Sequence, residues 1–565
     1  MRRFVSIPLL LLLVLVGCQQ SGEQSATPAA KAVHGQRLIT ATISDPKTFN
    51  PLTSVDASSA GATGELFDGL VRLNPQTTEE EPALAERWEY NTDGTVWTFH
   101  LRHDVRWHDG QPFTAADVVF TFAAIFDDRV PNSLKHVLMI DGQPIKVERV
   151  DDYTVRMLLP RPFAPLLNSI GTPILPEHVL GASLKDGTFV QQWGIDTPPE
   201  KLIGTGPYRM LRYVPAQFIE YQRNPDYWMK DDAGKPLPYL EAQTLLIVPN
   251  QDTTYLKFLS GQTDTHSPRP EEIADLRDKA DQLQIMVQET GLDTGSLFIA
   301  FNRNPRHYVK DGKRDPRLTW FSDLHFLRAI AHAMDKQAMI VNCLNGYGKP
   351  GVAEISPENK IFHNPNLKDY DYSLDEARQL LKDGGYIYRD GILKDSNGNP
   401  VELSLTTNAG NQVREKICSI LKEDWGKLGI KVNYRPLDFQ ALVEKLYNTY
   451  EWDALLIGFT GGIEPQNGAN LLRSSGNLHF WNPDQQEPAT PWEAEIDTLL
   501  DQGSREIDTQ KRRTYYWRIQ EILHDQLPMI QTVRQLEFVA YKRLLQNYRP
   551  TVWGLYRPEL IRIAE

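Results

Sequence analysis

An α/β body is the fold class this sequence predicts, and three observations predict it. Short runs rich in β-branched and aromatic residues alternate along the chain with capped, amphipathic helical segments. Apolar residues make up 41% of the 565 positions and charged residues 24%, which are ordinary proportions for a globular chain. After residue 16 no second long apolar run and no repeat of fixed period breaks the alternation.

The N-terminus is set apart from that body. Arg2 and Arg3 precede an apolar run over residues 4–16, too short for a bilayer span of about 20 apolar residues. A cationic start, a short apolar stretch and a small residue before the cut read as a secretory signal. Gly17 followed by Cys18 resembles a bacterial lipoprotein signal, which implies a lipid on Cys18; the alternative is an ordinary signal with an incidental cysteine. Residues 1–17 are therefore excluded from the fold. Apart from Glu23 and Lys31, residues 19–31 are Gln, Ser, Gly, Thr, Ala and Pro with almost no large apolar side chain, so 18–36 reads as a flexible tether. The body is expected from near Gln36, outside the cytoplasm, in the periplasm or on the outer face of the cell membrane. Roughly 530 residues remain, a length for two to four domains.

The elements follow in order. Val96, Trp97, Phe99 and Leu101 mark a strand, and Val105 and Trp107 begin another before the Asp109-Gly110 turn. Thr114 with Asp117 forms a capping box ahead of the apolar helix at 118–122. Residues 153–158 alternate as a strand that Pro160 stops. Leu324, Leu327, Ile330, Ala331 and Met334 recur at helical spacing, with Gly346 beyond the last turn. Ser373 with Glu376 opens a helix whose stripe is Leu374, Ala377, Leu380 and Leu381, closed at Gly384-Gly385. A helix at 413–428, a strand at 430–434 and a helix capped by Asp438 come next. Residues 452–459 are apolar throughout most of their length, as in the middle of a sheet. An aromatic-rich helix at 514–523 ends before Pro528.

Composition and motifs exclude several functions. Lys and Arg number 60 against 73 Asp and Glu, for a net charge of −13; an acidic chain without a basic block is a poor nucleic-acid binder. No G-x-S-x-G elbow, H-E-x-x-H or P-loop is present, so no catalytic residue is proposed and no enzyme activity is expected. His100 and His103 face opposite sides of a strand and His108 lies past a break, which argues against a metal. Asp395, Asn397 and Asn399 lack the glycine spacing of a calcium loop and read as a hairpin turn. Apart from Cys18, only Cys343 and Cys418 occur, read as two buried thiols rather than a disulfide. Neither cofactor nor metal is expected.

Several segments in sequence order carry a resemblance: 45–51 (DPKTFNP), 81–88 (EPALAERW), 99–118 with its WHDGQPFTAADV core, 204–208 (GTGPY), 223–228 (RNPDYW), then Phe301-Asn302, 328–330 and 345–348. Together these are similar to the solute-binding proteins of bacterial ABC transporters, family 5, the class that includes dipeptide and oligopeptide receptors. The resemblance covers about residues 40–535. It implies a two-lobe, hinged (type II) periplasmic-binding-protein fold with an extra subdomain in the first lobe. Lobe I is expected at 37–80, 203–300 and 530–565, the extra subdomain at 81–202 and lobe II at 301–529. It also implies a monomer that closes on its ligand and delivers it to an ABC permease and its ATPase.

The resemblance further implies a site. In peptide receptors of this class, a lobe II strand ends in an aromatic-Thr-Gly-acid loop whose acid meets the peptide α-ammonium. Here the stretch is Gly458, Phe459, Thr460, Gly461, Gly462, Ile463, Glu464, Pro465, and Gly462 stands where the acid belongs. Glu464 either takes over that contact or caps the helix that follows. Gly461 and Gly462 either let backbone approach ligand or make a tight turn. Phe459 packs on ligand or on the core. Ser44, Asp45 and Phe49 are the candidates facing from lobe I, and Trp481 with Asn482 offers an aromatic wall. A peptide is the leading cargo. A sugar, an opine-like compound, haem or a nickel chelate on the same fold is the alternative, and an adhesin, chaperone-like scaffold or hydrolase the third.

Overall fold

The computed structural model describes residues 36–54 and 56–564. The signal segment 1–17, Cys18 and the tether as far as Gly35 lie outside the described residues. Among the described residues no helix is long and apolar enough to cross a membrane.

Two sheets carry the two lobes. The first has the spatial order Arg37–Thr42, Ala242–Ile247, Phe218–Arg223, Tyr208–Val214, with its first pair parallel and the others antiparallel. The second has the order Lys431–Leu437, Glu402–Asn408, Ala454–Phe459, Ser296–Phe301, Met529–Gln531. The apolar run at 452–459 is its middle strand. Ala454 and Leu456 enter the core on one face, and Leu455 and Ile457 enter the core on the other. Successive side chains of a strand point to opposite faces, so a strand covered on both sides must be apolar at every position.

A long strand, Val533–Lys542, ties the lobes together. Its first residues pair with Gly348–Pro350 and the rest with Ile285–Leu292 and Thr265–His266. The chain passes between the lobes twice, side by side: at 293–295, before Ser296–Phe301, and at Thr532, before Val533–Lys542. Thr532 locks the two passes together, its N–H and Oγ1 both donating to the Leu297 carbonyl at 2.9 and 2.8 Å. The fold is thus the hinged two-lobe α/β arrangement. The expected lobe boundaries at 300/301 and 529/530 cut through strands. A strand belongs to the sheet whose hydrogen bonds it completes, so Ser296–Phe301 and Met529–Gln531 stay with the second sheet.

A four-stranded antiparallel sheet of Ala85–Tyr90, Val96–Leu101, Thr154–Leu158 and Lys146–Asp151 forms the extra layer. Helix Ala115–Phe126 covers it and opens with the capping box, Asp117 accepting from the Thr114 N–H at 2.9 Å. Trp97, Phe99, Trp107 and Phe113 share one core with Tyr208 and Tyr221 of the first sheet. His108 is a strut at this junction. Its Nδ1 accepts from the Gly204 N–H at 3.1 Å and its Nε2 donates to the Gly206 carbonyl at 3.1 Å. Burial pushes its pKa down to about 4. A side chain at Gly204 or Gly206 would collide with the Leu66 main chain. His103 instead stacks on Tyr153 at 3.9 Å, and among the described residues no group of three metal-ligating side chains occurs.

Three local expectations change. The strand expected from Val105 is a single bridge, Arg106 to Pro112, because Trp107 and Phe113 both turn into the core around Gly110. The helix expected from Leu324 is two helices, Leu324–His332 and Lys336–Leu344. Asp335 separates them by capping the second, accepting from the Ala338 N–H at 2.8 Å. The hairpin expected over 390–402 turns first at Asp390-Gly391, between Ile387–Arg389 and Ile392–Lys394. Asp395 then closes the Asn397-Gly398 turn by accepting from the Asn397 and Asn399 N–H groups. Cys343 and Cys418 are separate buried thiols.

Candidate ligand-binding cavity

The site grows out of the end of the middle strand of lobe II. Register places Phe459 opposite Ser296, so the chain beyond Phe459 leaves the sheet beside the hinge crossing. Gly461 lies directly on that crossing, where a methyl group would collide with the Thr294 carbonyl. Gly462 is different: a Cβ there would meet nothing nearer than Asn467 Nδ2 at 3.9 Å. The two glycines therefore have separate reasons to exist. The first lets backbone pack on backbone, and the second leaves space open.

A cavity of about 190 Å³ lies over this loop. Thr294 of the crossing and Ser296, the first residue of the strand after it, line it, together with residues 459–462, Glu354 and Tyr516. The Phe459 ring stacks with Phe480 at 5.5 Å and Phe298 at 6.0 Å and also borders the cavity. It packs against the core and faces the cavity at once. Thr460, Gly461 and Gly462 are exposed, and their main-chain N–H and C=O groups bond to no other described residue. A second space of about 340 Å³ adjoins on the other side of Phe459 and Thr460, bordered by Asn411, Arg414 and Gln535.

Glu464 does not offer its charge to this space. Both of its oxygens meet the Arg512 guanidinium, one at 2.7 Å from Nη1 and the other against Nη2. The pair is buried, with side-chain exposures of 5% and 7%. Burial alone would weaken the Arg512 charge, but Glu464 holds its pKa above the ordinary guanidinium value. Glu464 Oε1 also accepts from the Gln466 N–H at 2.8 Å, capping the short helix Pro465–Gly468. Arg512 donates through Nε to the Gly503 carbonyl at 2.7 Å and lies over the rings of Phe362 and Tyr516. The carboxylate expected as an ammonium partner is thus held in a buried clamp, because the Arg512 guanidinium already balances its charge.

The residues expected to face it from lobe I are committed elsewhere. Ser44 hydrogen-bonds Ser58. Asp45 accepts from Tyr213 Oη at 2.8 Å and the Ala216 N–H at 2.9 Å. Phe49 is fully buried, edge-on to Tyr213 at 5.3 Å. Trp481 is also fully buried and donates to Glu493 at 2.9 Å, while Asn482 bonds Gln485. None of these five borders the cavity. Trp481 is a core side chain rather than an aromatic wall; its Glu493 partner, despite burial, is held down to about 2 by His479 and Trp481.

Sequence reasoning missed Glu354, Tyr516, Thr294 of the crossing and Ser296. Glu354 sits in an irregular stretch with no periodicity to place it. Arg512 and Tyr516, four apart on helix Thr509–Gln526, carry a legible signal: an i, i+4 basic–aromatic pair on a face that must meet the core.

The comparisons with known proteins decide the family. The model of the bacterial extracellular solute-binding proteins, family 5 (middle), matches residues 79–480. The chain belongs to this family. Like it in sequence are heme-binding protein A of Haemophilus influenzae, 27% identical over 566 residues with 96% of this chain and 95% of that protein covered, and the dipeptide-binding protein of Escherichia coli, 26% identical over 571 residues with 95% and 96% covered. Among solved structures, the oligopeptide-binding protein AppA of Bacillus subtilis, in complex with a nonapeptide, superposes with a TM-score of 0.68 at 23% identity, covering 94% of this chain and 99% of that one. This family 5 member therefore shares its fold with that structure along nearly its whole described length.

Proposed function

We propose that this protein is the extracytoplasmic binding component of an ABC importer and that its cargo is a short peptide. The observation that carries the reading is the exposed main chain at 460–462, unbonded and bordering a cavity at the hinge. Main-chain groups at a sheet end pair with an extended peptide by strand addition, whatever its side chains. Because Thr294 and Ser296 border the same cavity, ligand there touches the element that joins the lobes, and it favours the closed state by its extra contacts in that state. The E. coli relative is a dipeptide-binding protein, which supports the reading. Lobe I then comprises 37–80, 203–292 and 533–565, with 81–202 as its extra subdomain, and lobe II comprises 296–531. A lipid on Cys18 would hold a monomer at the membrane beside its permease and ATPase, and the chain itself performs no chemistry.

A non-peptide cargo is the second reading. Gly462 favours it, since no acid stands at that place, and the H. influenzae relative is a heme-binding protein. Mass spectrometry of what denaturation releases from the purified protein separates the two. A mixture of short peptides supports the first reading, and a single non-peptide species overturns it.

A further inference from the structure

Two carboxylates border the cavity among the described residues, Glu354 and Glu464, and only Glu464 is paired. The side chain of Glu354 makes no ion pair and no hydrogen bond to another described residue. Its main chain is nonetheless firmly held. The Glu354 and Ala353 carbonyls accept from Arg534 Nη2 at 2.7 and 2.6 Å. Two residues on, Ser356 Oγ donates to the Asp293 carbonyl at 3.1 Å, fastening this segment to the hinge crossing. Arg534 makes no ion pair with Glu354; the hydrogen bonds of its guanidinium go to main-chain carbonyls, the third being Asp293 at 3.3 Å.

We propose that Glu354 is the ionic anchor of this cavity, taking the α-ammonium of a bound peptide in place of the acid that Gly462 lacks. The proposal rests on the peptide reading above and names the specificity residue of that site. An unpaired carboxylate kept partly out of water is costly on its own, and an incoming ammonium relieves that cost. Burial accordingly pushes the Glu354 pKa up to about 7, although Arg534 draws it down. The other charged and titratable groups around it are already partnered. Lys336 and Asp369 pair with each other, Glu464 with Arg512, and His524 with the Lys368 carbonyl. Tyr516 donates to Gln466 at 3.0 Å. His363, one residue beyond Phe362, bonds the Ile355 carbonyl at 3.0 Å, and burial lowers its pKa.

The test measures binding of an equimolar tripeptide library and of its N-acetylated counterpart to the wild type and to Glu354→Gln. The expected result is that the wild type prefers the free library, and that Glu354→Gln loses at least tenfold for the free library while the acetylated one is unaffected. Wild-type affinity for the free library should also fall between pH 8 and 5.5, by about tenfold per unit below about 7, and Glu354→Gln should abolish that dependence. Adding Gly462→Asp to Glu354→Gln should restore free-peptide binding, since the space at residue 462 is open; this rescue excludes a folding defect as the cause of loss. Equal binding of both libraries by Glu354→Gln and wild type, or equal loss of both, overturns the role of Glu354 and leaves the peptide reading standing. Binding of neither library by the wild type overturns both.

Discussion

The segment at 44–49 in lobe I and the segment at 459–464 in lobe II look alike in sequence: each follows a strand, and each carries an acid, an aromatic and small polar residues. Their structures differ in where the polar atoms go. In the first, Ser44 and Asp45 have protein partners and Phe49 is sealed in the core. In the second, the charge of Glu464 is equally committed, yet three consecutive residues leave their main chain free beside a cavity. Residue type therefore does not mark a site. A site is where hydrogen-bonding capacity remains after the fold has taken what it needs.

The comparison breaks most easily at the clamp. Glu464→Gln or Arg512→Met leaves one buried charge unpaired, and either should cost about 3–5 kcal/mol of stability, read by urea unfolding. If Glu464→Gln instead unfolds like the wild type and loses only peptide, Glu464 is a ligand residue and the two segments are not alike in this respect. The glycines give a sharper contrast. Gly461→Ala drives a methyl into the Thr294 carbonyl and should cost about 3 kcal/mol. Gly462→Ala has open space and should stay within about 0.5 kcal/mol of wild type. Similar losses at both positions would remove the distinction between packing and space.

The lobe I side has its own pH signature. The folded pKa of His108 is depressed to about 4 from 6.5, so the unfolded chain binds its proton first on acidification. The stability contribution is complete above about 6.5 and is lost as pH falls toward 4. By pH 5 the loss should be about 2 kcal/mol, and His108→Gln should flatten the decline in a urea series between pH 7.5 and 5. The smallest effect is expected at Asp45→Asn, which weakens two hydrogen bonds for about 1 kcal/mol and should leave peptide affinity within about threefold of wild type. A larger affinity loss in calorimetry would return lobe I to the site.

Local chemistry is legible in the residues themselves. The turn at Gly110, the Thr114–Asp117 capping box and the apolar strand that ends at Phe459 lie where their spacing puts them. The division of the Leu324 run is not legible in this way, because Asp335 caps a helix as readily as it sits in a polar stripe, and only packing decides between them. That residue 300 lies inside a strand of the second sheet is not legible for a related reason: strand pairing is a long-range choice, and Ser296–Phe301 is claimed by Ala454–Phe459, more than 150 residues away in the chain. The loop at 459–462 stands out through its resemblance to a family pattern, not through its residues alone.

The sequence by itself determined the α/β class, because periodicity, capping and turn chemistry act over a few residues and survive in any context; the family and the loop at 459–462 came from motifs that resemble a family pattern. Tertiary structure alone decided which charges are free. Glu464 and Glu354 are the same side chain, and neither has a neighbour in sequence that foretells its partner. Arg512 reaches Glu464 from 48 residues away, and among the described residues no cation is paired with Glu354. Electrostatics depends on distance through space, which the order of residues does not record.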